Sequence, residues 1–303
     1  MSGEVAGTAT RAHAKVNLRH RVFARDETGY HSVETVLART SLYDTVQVEE
    51  TEKGVTLELE GDAARDVPGG DANLCVRAAR WFLEAAFPRR EPPGVHVRLT
   101  KRIPAGTGLG GGSADAAATL RLLAERWPRV DERALWALAG ELGSDVAFGL
   151  LDVPLALGWE RGRRLLPVRG PRPRPALLVC APFGISTPEA YGWLARDRAE
   201  AGAGDAGGAT ALPGTTRWTE WPVLERLVRN DLQAPVLARH PDLAACLDAL
   251  TGAASGATMT GSGSALAAWF ADEAARVAAR AAVAAAGAEE TAGWRLIEVT
   301  LPV

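Results

Sequence analysis

Apolar positions along the chain follow two different periods. Val46/Val48 and Val55/Leu57/Leu59 recur at every second residue, the spacing of a strand with one buried face, and the polar stretch 49–54 between them predicts a β-hairpin. Leu74, Ala78, Trp81, Phe82 and Ala85 recur at three and four, which predicts a helix over 73–87. Val95, Val97 and Leu99 return to the strand period. Ala116, Leu120, Leu123 and Trp127 resume the helical one, after a glycine-rich interval. A short helix is expected over 135–142, its end punctuated by Gly143-Ser144-Asp145. An Arg-, Pro- and Gly-rich stretch, 161–175, reads as a domain crossing. Beyond it come an apolar strand over 176–180, helical patterns over 224–228 and 243–250, a second glycine cluster at 260–264, an apolar run over 265–270, an alanine-rich helix and a last strand over 295–301. Residues 196–219 hold almost no large apolar side chain and read as a mobile surface excursion. Strands and helices interleave in both halves, so the class is α/β or α+β, with no internal repeat.

Composition narrows the partners. At 303 residues and 31.9 kDa the chain makes one large or two ordinary domains. With 47% hydrophobic and 23% charged residues, wholesale disorder and fibrous repeats are excluded. A net charge of -3 gives no global positive field, so neither nucleic acid nor a membrane surface is an expected partner. The first fifteen residues lack the apolar core of a signal peptide and no run of about eighteen apolar residues occurs, which makes the cytoplasm the expected location. Cys75, Cys180 and Cys246 are odd in number and far apart, the pattern of small buried hydrophobes rather than of disulfides or a zinc site. His13, His20, His96 and His240 show no ligand spacing, and no protein metal site is expected. Only Lys15, Lys53 and Lys101 among 34 basic residues are lysine. Where arginine is the habitual cation, a lysine suggests a place that needs a compact ammonium instead of a planar fork.

Five glycines fall between Gly106 and Gly112, with a strand before them and a helix after. Such a backbone can reach positive φ and press its N–H groups against a ligand, and the helix start adds its positive end. Phosphate binding is the mechanism this order serves. Gly106, Gly108 and Gly111 satisfy the dinucleotide fingerprint, yet no acidic residue ends a strand about twenty residues on, since Glu125 sits late in a helix. No lysine follows the last glycine, and Asp-Phe-Gly and His-Arg-Asp are missing, so neither a Walker A loop nor a protein kinase fits.

Residues 104–113, Pro-Ala-Gly-Thr-Gly-Leu-Gly-Gly-Gly-Ser, resemble the loop of the GHMP kinase superfamily, Pro-x-Gly-x-Gly-Leu-Gly-Gly before serine, with one extra glycine. Five more motifs follow in order across residues 12–270. Ala14-Lys15-Val16-Asn17-Leu18 is similar to Ala-Lys-Ile-Asn-Leu, and Gly29-Tyr30-His31 to Gly-Tyr-His. Leu142-Gly143-Ser144-Asp145-Val146 is similar to Leu-Gly-Ala-Asp-Val, Asn230-Asp231-Leu232 to Asn-Asp-Leu, and Gly261-Ser262-Gly263-Ser264 to a C-terminal glycine turn. Together they resemble the branch of the superfamily whose acceptor is linked to cytidine diphosphate. His13 and Ala147 stand where that branch usually has proline.

The resemblance implies an α+β protein of two domains: 1–165, like the second domain of ribosomal protein S5, and 166–303, ferredoxin-like, with ATP and substrate in the cleft. It implies ATP and Mg2+ as cofactors and transfer of the γ-phosphate to the 2-hydroxyl of 4-diphosphocytidyl-2-C-methyl-D-erythritol, in the non-mevalonate isoprenoid pathway. Pro104, Ala105, Gly106, Thr107, Gly108, Leu109, Gly110, Gly111, Gly112 and Ser113 would hold ATP, with Asn73 near adenine. Asp145 would face the acceptor hydroxyl, orienting it more than deprotonating it because aspartate is a weak base. Lys15 would compensate charge on the transferring group, and Asn17 would hold the erythritol hydroxyls. Tyr30, His31 and Tyr191, the last following Ile185-Ser186-Thr187, would surround cytosine. Two rivals remain: a homoserine or mevalonate kinase, which shares the loop without needing Gly29-Tyr30-His31, and a nucleotide-binding protein with no turnover. Monomer and dimer are both open.

Overall fold

The computed structural model describes residues 8–25, 27, 31–160, 162, 164–202, 212 and 214–303. Packing divides the chain into two compact units: 1–14 with 42–105 and 110–152, and 15–41 with 106–109 and 153–303. Strands β1 (Thr8–Arg25) and β2 (His31–Thr51) run to 18 and 21 residues, and each contributes to both units. The units therefore interleave along the chain, where the sequence suggested one division near residue 165.

In the first unit, β4 (Gly94–Thr100) lies between β2 and β3 (Val55–Glu60). It is antiparallel to β2, with Val48 opposite Val97, and parallel to β3, with Leu57 opposite the same residue. The expected 46–59 hairpin is thus not formed, since β4 occupies the place between its two arms. Alternation tells which face of a strand is buried but not which strand lies beside it. β4 can enter there because Gly94 has no side chain: a Cβ on it would stand 2.3 Å from Thr51 Oγ1 and 2.5 Å from the Lys53 backbone.

Four helices complete this unit: α1 (Leu74–Ala86), α2 (Gly111–Arg126), α3 (Glu132–Leu142) and α4 (Ser144–Leu150). Phe82 and Leu83 of α1 and Leu120 and Leu123 of α2 pack in one core with Val46, Val48, Val95, Val97 and Leu99 of the sheet. Each such side chain contributes about 1.5–3 kcal/mol by leaving water. Asn73 caps α1 through Cys75 N at 2.8 Å, and Asp131 caps α3 through Ala134 N at 2.7 Å. Gly143 ends α3 as expected, but α4 begins at once. Asp145 therefore sits in the first turn of a helix, where the dipole favours a carboxylate, and not beyond the last.

The second unit holds the antiparallel sheet β11-β7-β10-β9, formed by β7 (Arg174–Cys180), β9 (Gly256–Met259), β10 (Leu266–Trp269) and β11 (Arg295–Leu301). Strand β5 (Leu155–Trp159) pairs β2 and β6 (Arg164–Val168), and β8 (Arg229–Asn230) pairs β1, setting His20 opposite Asn230. Leu177, Val179, Leu266 and Phe270 share a core with Leu243, Leu247 and Leu250 of α8 (Pro241–Thr251) and Val283 of α9 (Glu273–Ala285). Helix α5 (Thr187–Glu200) takes in the start of the expected 196–219 excursion, and Trp218 near its end is fully buried. Residues 203–211 and 213 lie outside the described set. Helix α6 spans Trp221–Glu225 rather than 224–228, because the chain turns there into β8, and α7 (Gln233–Leu237) follows. The three cysteines are unpaired and buried, as expected. Among the described residues no helix is long and apolar enough to cross a membrane.

Candidate active site

Gly106, Gly108 and Gly110 adopt φ of +70°, +81° and +74°, alternating with Thr107 and Leu109. Three successive carbonyls of this loop are held by protein donors. Thr107 O accepts from Ala265 N at 3.0 Å, Gly108 O from Lys15 Nζ at 2.9 Å and Leu109 O from Lys15 N at 3.0 Å. A Cβ on Gly108 would fall 2.5 Å from Thr260 O and 3.1 Å from Gly263 O, so only glycine fits. The carbonyl side of the loop is thus committed to protein donors. Helix α2 starts at Gly111, capped by Gly110, and its first-turn N–H groups have no acceptor within the helix. Such a turn suits an anion. Pro104 and Ala105 lead in, and Gly112 and Ser113 continue the first turn of α2.

Lys15 is buried on β1, its ammonium fixed by Asn17 Oδ1 at 2.6 Å and Gly108 O at 2.9 Å. Asn17 is held in turn. Its Nδ2 donates to Thr35 Oγ1 at 2.8 Å, while its N–H donates to Thr260 Oγ1 at 3.0 Å. Asn230 Nδ2 donates to Met259 O at 2.7 Å and Gly261 O at 2.9 Å, securing the second glycine turn. A Cβ on Gly261 would lie 3.2 Å from Gly108 O and 3.5 Å from Lys15 Nζ, so that turn packs directly on the loop and its lysine. Thr35 had no sequence signal beyond being a threonine; Thr260 stood in the second glycine cluster without a role, and Asn230 was legible as a motif but not as a support of the loop.

His31 opens β2 and donates from Nδ1 to Phe23 O at 2.7 Å. Its ring centroid lies 5.3 Å from that of half-buried Tyr191, and Tyr191's hydroxyl pairs with His20 Nε2 at 3.2 Å. His20, given no role from sequence, thus stands beside Tyr191. Tyr30 lies outside the described residues. Asn73 is buried, with Oδ1 on Cys75 N and Nδ2 on Pro68 O, so both ends of its amide hold the start of α1. Asp145 is partly buried in the first turn of α4. Among the described residues, no group of three or more His, Cys, Asp or Glu could hold a metal ion.

A glycine-rich loop that opens a helix and carries a buried lysine on its carbonyl side is suited to a phosphate without a Walker lysine. In agreement, residues 73–158 match the family model "GHMP kinases N terminal domain" and 220–289 match "GHMP kinases C terminal". A curated 4-diphosphocytidyl-2-C-methyl-D-erythritol kinase of Clavibacter michiganensis is 38% identical over 82% of this chain and 83% of its own length. The crystal structure of a 4-(cytidine 5'-diphospho)-2C-methyl-D-erythritol kinase aligns with a TM-score of 0.77 at 32% identity, over 98% of this chain and all of that one. A homoserine kinase of Cytophaga hutchinsonii aligns at 0.66 with 16% identity over 96% and 95%, a likeness of fold alone. The chain belongs to the 4-diphosphocytidyl-2-C-methyl-D-erythritol kinase family of the GHMP kinases, with the α+β fold the motifs implied. It is a phosphotransferase, with ATP the donor that family membership implies.

Proposed function

We propose that the chain transfers the γ-phosphate of ATP to the 2-hydroxyl of 4-diphosphocytidyl-2-C-methyl-D-erythritol, in the cytoplasm, within the non-mevalonate route to isoprenoid precursors. The observation carrying this reading is the Lys15 ammonium bound to both Gly108 O and Asn17 Oδ1, which links the triphosphate loop to a group suited to sugar-alcohol hydroxyls. The N–H groups of residues 106–113 hold the phosphates. Magnesium bound to the triphosphate would offset its charge; among the described residues no group of three or more His, Cys, Asp or Glu could hold the ion. Lys15 balances charge on the transferring group and Asn17 binds the acceptor diol. Asp145 orients the hydroxyl and takes its proton as the new O–P bond forms and the bond to the β,γ-bridging oxygen breaks, releasing ADP. His31, Tyr191 and Tyr30 receive the cytosine, Tyr191 offering a face for stacking. Asn73, its amide committed to the helix cap, borders adenine by contact.

A coupled ADP-release assay tests the whole reading. The cytidine diphosphate acceptor should be turned over while homoserine and mevalonate are not. Turnover of either rival in its place overturns the acceptor, and ATP binding with no turnover of any acceptor makes the chain a nucleotide-binding protein.

A further inference from the structure

The first unit buries three ionisable side chains that the reaction scheme does not use. Lys101, directly after β4, has a side chain 3% exposed, with Asp115 Oδ2 at 2.7 Å and Asp44 Oδ2 bonded to the same ammonium. Asp44 turns its other oxygen to the main chain, accepting from Arg102 N and from Ile103 N at 2.9 Å. Those residues are the last before Pro104. Asp115 lies on α2, one turn beyond Gly111. Gly111 itself packs on the residues before the loop: a Cβ there would stand 2.9 Å from Ile103 Cγ2 and 3.2 Å from Lys101 Nζ. The two feet of the phosphate loop, Ile103 and Gly111, therefore meet over one ammonium.

This is a poor device for stability alone. Two buried carboxyl groups crowd one ammonium, and Asp115 Oδ1 is buried with no hydrogen-bond partner, a costly arrangement that packed apolar groups would generally match or better. What it supplies is geometry. A compact ammonium sits close against Gly111, in a chain whose cations are nearly all arginine, and a planar guanidinium would be a larger group in its place.

We propose that Lys101 is a positioning residue for phosphoryl transfer: held by Asp44 and Asp115, it ties Ile103 to Gly111 and so sets the spacing of the loop amides that receive ATP. The proposal rests on reading the 104–113 loop as the ATP site. Four variants separate it from a purely structural role: K101R, K101M, D115N and the charge-free D44N/K101M/D115N. Each is measured for melting temperature, KM for ATP, KM for the cytidine acceptor, and affinity for a non-hydrolysable ATP analogue by calorimetry. K101R should weaken ATP about tenfold in both KM and affinity, with acceptor KM within about twofold. The charge-free variant should regain the parent's melting temperature yet keep the weakened ATP binding. Parental ATP binding in that variant, or ATP and acceptor KM rising together, overturns the proposal. Should both Lys101 single variants fail to fold, D115N decides: an ATP affinity lowered at least about threefold at unchanged melting temperature upholds it, and an unchanged affinity overturns it. A parent chain that turns over no acceptor would refute the catalytic reading, while the calorimetric comparison would still decide for Lys101.

Discussion

Replacing Gly108 by alanine puts one methyl group into the tightest place in the loop. The residue's φ of +81° is left-handed, which costs an L-residue about 1–2 kcal/mol. The new Cβ would stand 2.5 Å from Thr260 O, about 0.9 Å inside the 3.4 Å at which ordinary contact begins, and a backbone oxygen cannot rotate aside. Overpacking of this kind costs about 1–3 kcal/mol, so holding the loop in place would cost about 2–5 kcal/mol in all. Relief by movement is the cheaper course. A shift of about 1 Å would take Gly108 O out of hydrogen-bond range of Lys15 Nζ, now at 2.9 Å, and displace the neighbouring amides from the phosphates. Misplacement on that scale lowers kcat by about 10²-fold. The measurement is a coupled ADP-release assay with the cytidine acceptor, beside thermal melting. Gly140→Ala is the control: on α3, with nothing within 4 Å of its Cβ, it should gain about 0.5–1 kcal/mol of stability and leave kcat alone. A Gly108→Ala enzyme with parental kcat, parental KM for ATP and parental melting temperature would refute the steric argument.

Asp145→Asn keeps the shape of the side chain and removes its capacity to take a proton; kcat should drop about 10²–10⁴-fold with KM for ATP unchanged, and full retention of kcat removes Asp145 from the reaction. Tyr191→Phe deletes only the hydroxyl that pairs with His20, a bond worth about 0.5–1.5 kcal/mol, so acceptor KM should rise up to about tenfold while ATP KM stays put; equal change in both would sink the base-site assignment. Burial, opposed by Lys101 and reinforced by Asp44, pushes Asp115 up to about 8 from 3.8. Burial alone would lower the Lys101 ammonium, but the two carboxylates outweigh it and raise it above its ordinary 10.5. Between the two Asp115 values the folded chain binds more protons than the unfolded one, so this group's contribution to stability is full below about pH 4 and declines until about pH 8. The other ionisable group nearby, the Cys75 thiol on α1, is raised by its own burial and then by Asp115 and stays neutral across that range. Melting curves of Asp115→Asn should therefore lose slope between pH 4 and 8 relative to the parent; parallel curves would contradict the assignment.

The longer periods in this chain can be read directly: α1, α8 and β11 fall within a residue or two of the pattern, while α2 begins at Gly111, five residues before its first periodic residue, Ala116. The hairpin failed because Val46, Val48, Leu57 and Leu59 record burial but carry no mark of β4 between them. Asp145 was misplaced for a related reason, since a glycine can close one helix just where the next begins. The glycine-rich loop was legible because alternate positive φ requires glycine and leaves a visible trace. The long-range pairings left none. Thr260 meets Asn17 across 243 positions, His20 meets Tyr191 across 171, and Lys101 meets Asp44 across 57; Asn17, Tyr191 and Lys101 stood out in the sequence, but nothing there named their partners.

The three loop carbonyls bound by Lys15 and Ala265 have a consequence for dissecting this enzyme. The glycine-rich turn is not a portable cassette: one of its clamps is inherited from the opening strand and the other from a stretch some 150 residues downstream, so a fragment stopping near residue 165 would carry every letter of the motif without the scaffold that gives it shape.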